Sequence, residues 1–171
     1  MWQGLIAIAA AKAAMTGYNL QPIVNKTHKY IKQLRGLGML DTLSYAVKGG
    51  RLGKTISAIE SLLNVKPLVT VKHGQVCLAG LARTRNKAIA RLQLFLKTIT
   101  HIDDLAIVHS TNMEEPLALA DYACRLFPNI SPRIARLGPA VGTHAGPRAL
   151  VVVLKTNFQT EPCSNTKKSG A

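Results

Sequence analysis

The chain has 171 residues, enough for one ordinary domain with a sizeable core. With 47% hydrophobic residues and a mean hydropathy of +0.13, it lies outside the low-hydrophobicity regime of disordered chains. Its 22 Lys+Arg against 8 Asp+Glu give a formal charge of +14. That balance excludes an acidic solvating protein and leaves nucleic acid, an anionic membrane surface or a small anionic ligand as partners.

The spacing predicts a first helix over about 3–16, alanine-rich and stopped by Gly17, which reads as a buried helix rather than a signal peptide. Asn19 caps a second helix with Pro22 in its first turn. Ile23, Val24, Tyr30, Ile31 and Leu34 share one stripe, and Lys26, Lys29 and Lys32 lie off it. The run Leu37–Leu40 is too short to assign. Asp41 reads as the cap of a helix through Ala46, stopped at Gly49-Gly50, and Ile56, Ile59, Leu62 and Leu63 mark a further helix. Leu68–Val71 and Val76–Leu78, turned at His73-Gly74, form a hairpin signal. A long helix follows from Thr84, with Ala88, Ile89, Leu92, Phe95, Leu96 and Ile99 on its core stripe. Leu105–Val108 is a strand and Asn112–Phe127 a helix. Ile134–Leu137 and Ala149–Leu154 are strands, and a polar, disordered tail closes the chain. No run reaches the ~20 apolar residues of a membrane span. The class is α/β with a mixed or mostly antiparallel sheet.

Catalytic and cofactor signatures are sparse. Asp103-Asp104 and Glu114-Glu115 read as turn and cap residues rather than an acid/base pair. His28, His73, His101, His109 and His144 form no HxH, HExxH or His–Cys pattern, so no metal site is expected. There is no GxSxG, Walker A or GxGxxG sequence, so no nucleotide cofactor is expected either. Cys77, Cys124 and Cys163 offer no CxxC and fit a reducing, cytoplasmic setting.

Two glycine-rich segments remain. In Lys48-Gly49-Gly50-Arg51-Leu52-Gly53-Lys54, glycines allow close backbone approach and Arg51 offers a planar donor fork, which suits an anionic oxygen group. The same residues also read as a plain glycine cap with a solvated arginine. In Gly138–Arg148, three glycines and two prolines shape a loop that presents Gly142, Thr143 and His144, or else an irregular crossover in which His144 caps a carbonyl. The cations Arg83, Arg85, Lys87 and Arg91 could face a nucleic acid or simply be solvated, and with 5% aromatics a base-stacking platform is poorly supplied.

Taken in order, Leu40–Tyr45 followed by Lys48–Arg51, then Ser61–Leu68, Arg83–Arg85 and Gly138–Pro147, resemble the motifs of the DegV family of fatty-acid-binding proteins over about Met1–Lys155. The resemblance implies the family's C-terminal lipid-binding domain (the EDD fold) at 36–157. Residues 1–35 would be the last helices of a largely missing N-terminal domain, and 158–171 the polar tail. It further implies a non-catalytic carrier with a long-chain fatty acid as ligand and no cofactor. The head group would face Arg51, Thr143, His144 and Gly142, and a fatty acid kinase would dock near Arg83 and Arg85. Half the cleft would be absent, which would leave the chain inactive if nothing supplied it. Arg148 stands where a small residue is usual. The alternative expectation is a basic nucleic-acid-binding domain.

Overall fold

A computed structural model describes residues 1–50, 65–72 and 74–157. The element order is α1 (Trp2–Met15), α2 (Leu20–Gln33), β1 (Leu34–Met39), α3 (Ser44–Lys48), β2 (Lys66–Lys72), β3 (Gln75–Ala82), α4 (Arg85–Lys97), β4 (Asp104–His109), α5 (Glu114–Leu126), β5 (Arg133–Arg136), α6 (Pro139–Ala145) and β6 (Leu150–Lys155). The expected helix over Ile56–Leu63, His73 of the hairpin turn and the tail at 158–171 lie outside the described residues.

The strands form one six-stranded sheet in the order β3-β2-β1-β6-β4-β5. Every pairing is antiparallel except β4–β5, which α5 connects in parallel. The mixed, mostly antiparallel α/β sheet expected from the sequence is therefore present. The run that was too short to assign belongs to β1, whose six residues Leu34–Met39 pair with β6 over their full length.

β6 sits at the centre and is apolar on both sides, as a strand covered on two faces must be. Leu150, Val152 and Leu154 point to one face, where they pack with Leu92 and Leu96 of α4 and Leu119 and Ala123 of α5. Val151 and Val153 point to the other face, against Leu5 of α1. A third cluster, Leu40, Leu43, Ala46 and Ala149, closes one end of the sheet beneath α3 and α6.

α1 differs from the buried helix anticipated: only Leu5 and Ala13 are buried, and Met15 is 86% exposed. No residue of α2 is buried. A close approach secures α1 instead. A Cβ on Gly36 would overlap the Trp2 indole and come 2.8 Å from the Val152 carbonyl oxygen, so β1 carries glycine where α1 crosses it. Asp41 caps no helix. α3 starts later, at Ser44, whose N–H donates to the Thr42 hydroxyl at 3.2 Å, and the Asp41 carboxylate is held elsewhere. Thr84 caps α4 as expected, accepting from the Lys87 N–H.

Replacing Gly36 with Ala is expected to displace Trp2 and lower stability by about 1–3 kcal/mol through overpacking. Urea unfolding checks this, and an unchanged midpoint would show that α1 does not depend on the contact.

Candidate functional site

The C-terminal ends of β1, β4 and β5 lie at the same end of the sheet, since Met39 pairs with Leu150, Leu150 with His109, and His109 with Arg136. The connections that leave them toward α3, α5 and α6 gather there. Crevices at strand carboxyl ends are where open α/β sheets place ligands. Both glycine-rich segments reach this end.

The second segment is not a loop throughout. Pro139–Ala145 is a helix, entered through extended Gly138 with Pro139 in its first turn, where a missing N–H costs nothing. Gly146, at φ +74°, stops it, and a Cβ there would overlap the Tyr45 ring of α3. A Cβ on Gly49 would likewise overlap Nδ1 of His144. α3 and α6 therefore pack through two glycines, each facing a ring from the other segment. Gly50, at φ +63°, then turns the chain. His144 is thus set against the Lys48-Gly49-Gly50 turn. Its Nδ1 is buried without a hydrogen-bond partner among the described residues, an unusual state for a buried polar atom. Arg51 follows Gly50 and lies outside the described residues.

Gly142 and Thr143 face another way. With Tyr45, Ser110, Thr111 and Arg136 they line an open cleft of about 440 Å³. The Thr143 hydroxyl donates to the Ala140 carbonyl at 3.2 Å, within its own helix. The structure therefore joins His144 to the first glycine segment and places Thr143 and Gly142 on the adjacent cleft.

Arg83 is exposed, whereas Arg85 is drawn into the fold. The Arg85 guanidinium donates to both carboxylate oxygens of Glu115 at the start of α5, to Asp41 Oδ1 at 3.3 Å and to the Arg148 carbonyl at 2.9 Å. Lys66 Nζ donates to the same Asp41 oxygen at 2.8 Å. Arg148 has a left-handed backbone, φ 58°, and its N–H donates to the Thr111 hydroxyl at 3.1 Å. Glycine takes that conformation without steric cost, and here the Arg148 N–H and C=O are both hydrogen-bonded, to Thr111 and Arg85. Sequence reading treated Asp41 and Glu115 as cap residues. Their real partner lies 44 and 30 positions away in the chain, and no local pattern reveals such a pairing. Asp103 and Asp104 are ion-pair partners too, the first with Lys155 and the second with Arg133, and Asp103 also shares a hydrogen bond with His101 Nε2 at 2.8 Å.

The network sets the titration of its acids. Burial would raise the Asp41 carboxyl, but the Lys66 hydrogen bond and the charges of Lys66, Arg148 and Arg85 hold it below its ordinary 3.8. The Arg85 hydrogen bonds hold Glu115 below its ordinary 4.5 against the opposing effect of burial. Among the described residues no group of three or more His, Cys, Asp or Glu could hold a metal ion. No described helix is long and apolar enough to cross a membrane.

Two outcomes follow. Gly49→Ala should force the His144 ring aside and cost about 1–3 kcal/mol, and His144→Ala in the same chain should remove most of that cost. A urea double-mutant cycle that returns additive effects would deny the contact. Depressed carboxylates contribute stability that is present above the unfolded pKa and lost as pH falls through the folded one. Glu115→Gln should therefore cost about 1–3 kcal/mol at neutral pH, with the difference shrinking below pH ~4. Unfolding curves at pH 7 and pH 3 that differ equally between parent and variant would contradict it.

Comparison with known proteins bears on the family and the fold. A family model described as "Uncharacterised protein, DegV family" matches residues 1–157. A DegV domain-containing protein of Caldanaerobacter subterraneus is 34% identical over 151 residues, covering 85% of this chain and 53% of its own length. Among solved structures, a fatty acid binding DegV family protein from Streptococcus agalactiae is 28% identical with a TM-score of 0.79, covering 91% of this chain and 56% of that one. DegV, a fatty acid binding protein from Bacillus subtilis, is 27% identical with a TM-score of 0.76, covering 91% of this chain and 57% of that one. The chain spans about half the length of the curated relatives it matches. On the match to residues 1–157, the chain belongs to the DegV family.

Proposed function

We propose that this chain holds a long-chain fatty acid by its acidic head where α3 meets α6, as a carrier rather than a catalyst. The observation that carries the reading is the His144 ring, packed on Gly49 with a buried Nδ1 that no described residue engages. A carboxylate or acyl phosphate would meet the imidazole there, together with the Arg51 guanidinium. The Thr143 hydroxyl and the Gly142 backbone on the neighbouring cleft would supply further polar contacts. Two relatives of the same fold, from Streptococcus agalactiae and Bacillus subtilis, are described as fatty acid binding.

The energetics favour holding over reacting. Burial of about 16 methylenes would supply on the order of 10 kcal/mol before ordering costs, so the tail provides affinity and the head group sets orientation. Of the described acids at this end, Asp41 pairs with Lys66 and Arg85, and Glu115 with Arg85. A fatty acid kinase that phosphorylates the presented carboxylate would complete the reading, with exposed Arg83 at its docking surface. Arg85, engaged in ion pairs, would serve that surface only by ordering it.

Native mass spectrometry of the delipidated chain after addition of oleate should show a one-to-one adduct, and its absence would remove the proposal. Arg51→Ala and His144→Ala should each weaken retention of the acid about tenfold more than retention of the matching alcohol, as expected for a charge-assisted head-group contact of ~1.5 kcal/mol. Equal losses for acid and alcohol would take those residues out of the head-group role.

A further inference from the structure

The Arg85 guanidinium reaches beyond the pair of helices it joins. Arg85 opens α4, and its side chain is 11% exposed. Its bonds to both oxygens of Glu115 tie α4 to α5. The remaining bonds leave the helical layer: Nη1 donates to Asp41 Oδ1 at 3.3 Å and Nη2 to the Arg148 carbonyl at 2.9 Å. Neither acceptor belongs to a helix or a strand, and each borders one of the two segments that meet at the His144 ring. Asp41 leads through Thr42 and Leu43 into α3 and Gly49. Arg148 follows α6 after Gly146 and Pro147.

The Arg148 peptide is where restraint is needed. A non-glycine residue at φ 58° occupies a sparsely used region, and a free chain there relaxes toward the right-handed or extended wells. That relaxation would swing Gly146 and Pro147, and with them the last turn of α6 that carries His144. Three hydrogen bonds oppose it. The Arg148 N–H donates to the Thr111 hydroxyl at 3.1 Å, the Ala149 N–H donates to the Ser110 hydroxyl at 2.9 Å, and the Arg148 carbonyl accepts from Arg85. The first two anchor the segment to the connection after β4. Among the described residues, Arg85 is the side chain that bonds this segment and the Asp41 segment together. Lys66 reaches only the second, at Asp41 Oδ1 and the Asp41 carbonyl. A planar fork can span two such acceptors, whereas an ammonium is a point charge.

We infer that Arg85 is a positioning residue for the His144 imidazole: by bonding Asp41 and the Arg148 carbonyl, it fixes the ring against Gly49 from outside and touches no ligand itself. The consequence for ligand selectivity rests on the carrier reading above. The placement of the ring does not.

The test uses the full chain with Arg85→Lys, Asp41→Asn and Glu115→Gln. Arg85→Lys keeps the charge and removes the fork. Asp41→Asn weakens one arm, spares the Glu115 bonds and carries the test if Arg85→Lys does not fold. Glu115→Gln loosens the α4–α5 tie and serves as the stability control. Without lipid, the His144 imidazole signals in NMR, assigned by their loss in His144→Ala, are expected to move in the first two variants and to stay in the third. With lipid, the ratio of oleate to oleyl alcohol retained should fall about tenfold in Arg85→Lys and about threefold in Asp41→Asn, and hold within about twofold in Glu115→Gln. His144 signals that stay fixed in Arg85→Lys and Asp41→Asn would overturn the inference. So would a retention ratio that falls in all three variants in proportion to their urea midpoints. A parent that retains acid and alcohol alike, with His144 signals that still respond to Arg85→Lys, would fault the head-group reading and uphold the placement of the ring.

Discussion

One guanidinium governs the functional end of this protein. Arg85 opens α4, yet its donors reach Glu115 on α5, Asp41 after β1 and the carbonyl of Arg148 before β6. Three connections that would otherwise wander are thereby tied to one planar group that cannot lose its charge. Removing either acid would leave a partly buried cation with only part of its partners, a loss beyond that pair's own net contribution. The turn that carries Gly49 follows Asp41 and the helix that carries His144 precedes Arg148, so this tie and the direct α3–α6 packing hold the same two segments.

The sheet separates two kinds of surface. Leu92, Leu96, Leu119 and Ala123 complete an apolar layer on one face. The opposite face is divided between α1 at one end and the α3–α6 cap at the other. Chemistry follows that division. Paired charges and the imidazoles of His109 and His144 lie at the cap end, and lysines without described carboxylate partners lie along α1 and α2.

Much of the fold was legible in the sequence. Continuous apolar runs marked β4 and β6, and Thr84 with the stripe from Ala88 to Ile99 marked α4, because the local hydrophobic pattern decides those elements. β1 was not legible, since Gly36 and Gly38 replace the side chains that would have announced a strand, and they do so for the approach of Trp2 and Val151. The α6 helix was masked in the same way, by the proline and glycines that start and stop it. At the candidate site, the residue types were readable as chemistry, and the meeting of Gly49 with His144 is a tertiary event that only the order of motifs in the DegV family foreshadowed. The ion pairs of Arg85 were invisible, because charge partners distant in the chain leave no spacing to detect.

The position of β6 has a temporal consequence. It is the last described strand in the chain and the central one in the sheet, flanked by β1 and β4. While the ribosome is still synthesising Leu150–Lys155, β1 and β4 lack the neighbour that both require, and each keeps a bare edge of backbone amides and carbonyls. Such edges invite pairing with other chains, and closing so long a loop is slow. Maturation therefore waits on the arrival of one short apolar segment, and a nascent chain stalled before it would be a substrate for chaperones rather than a folded domain.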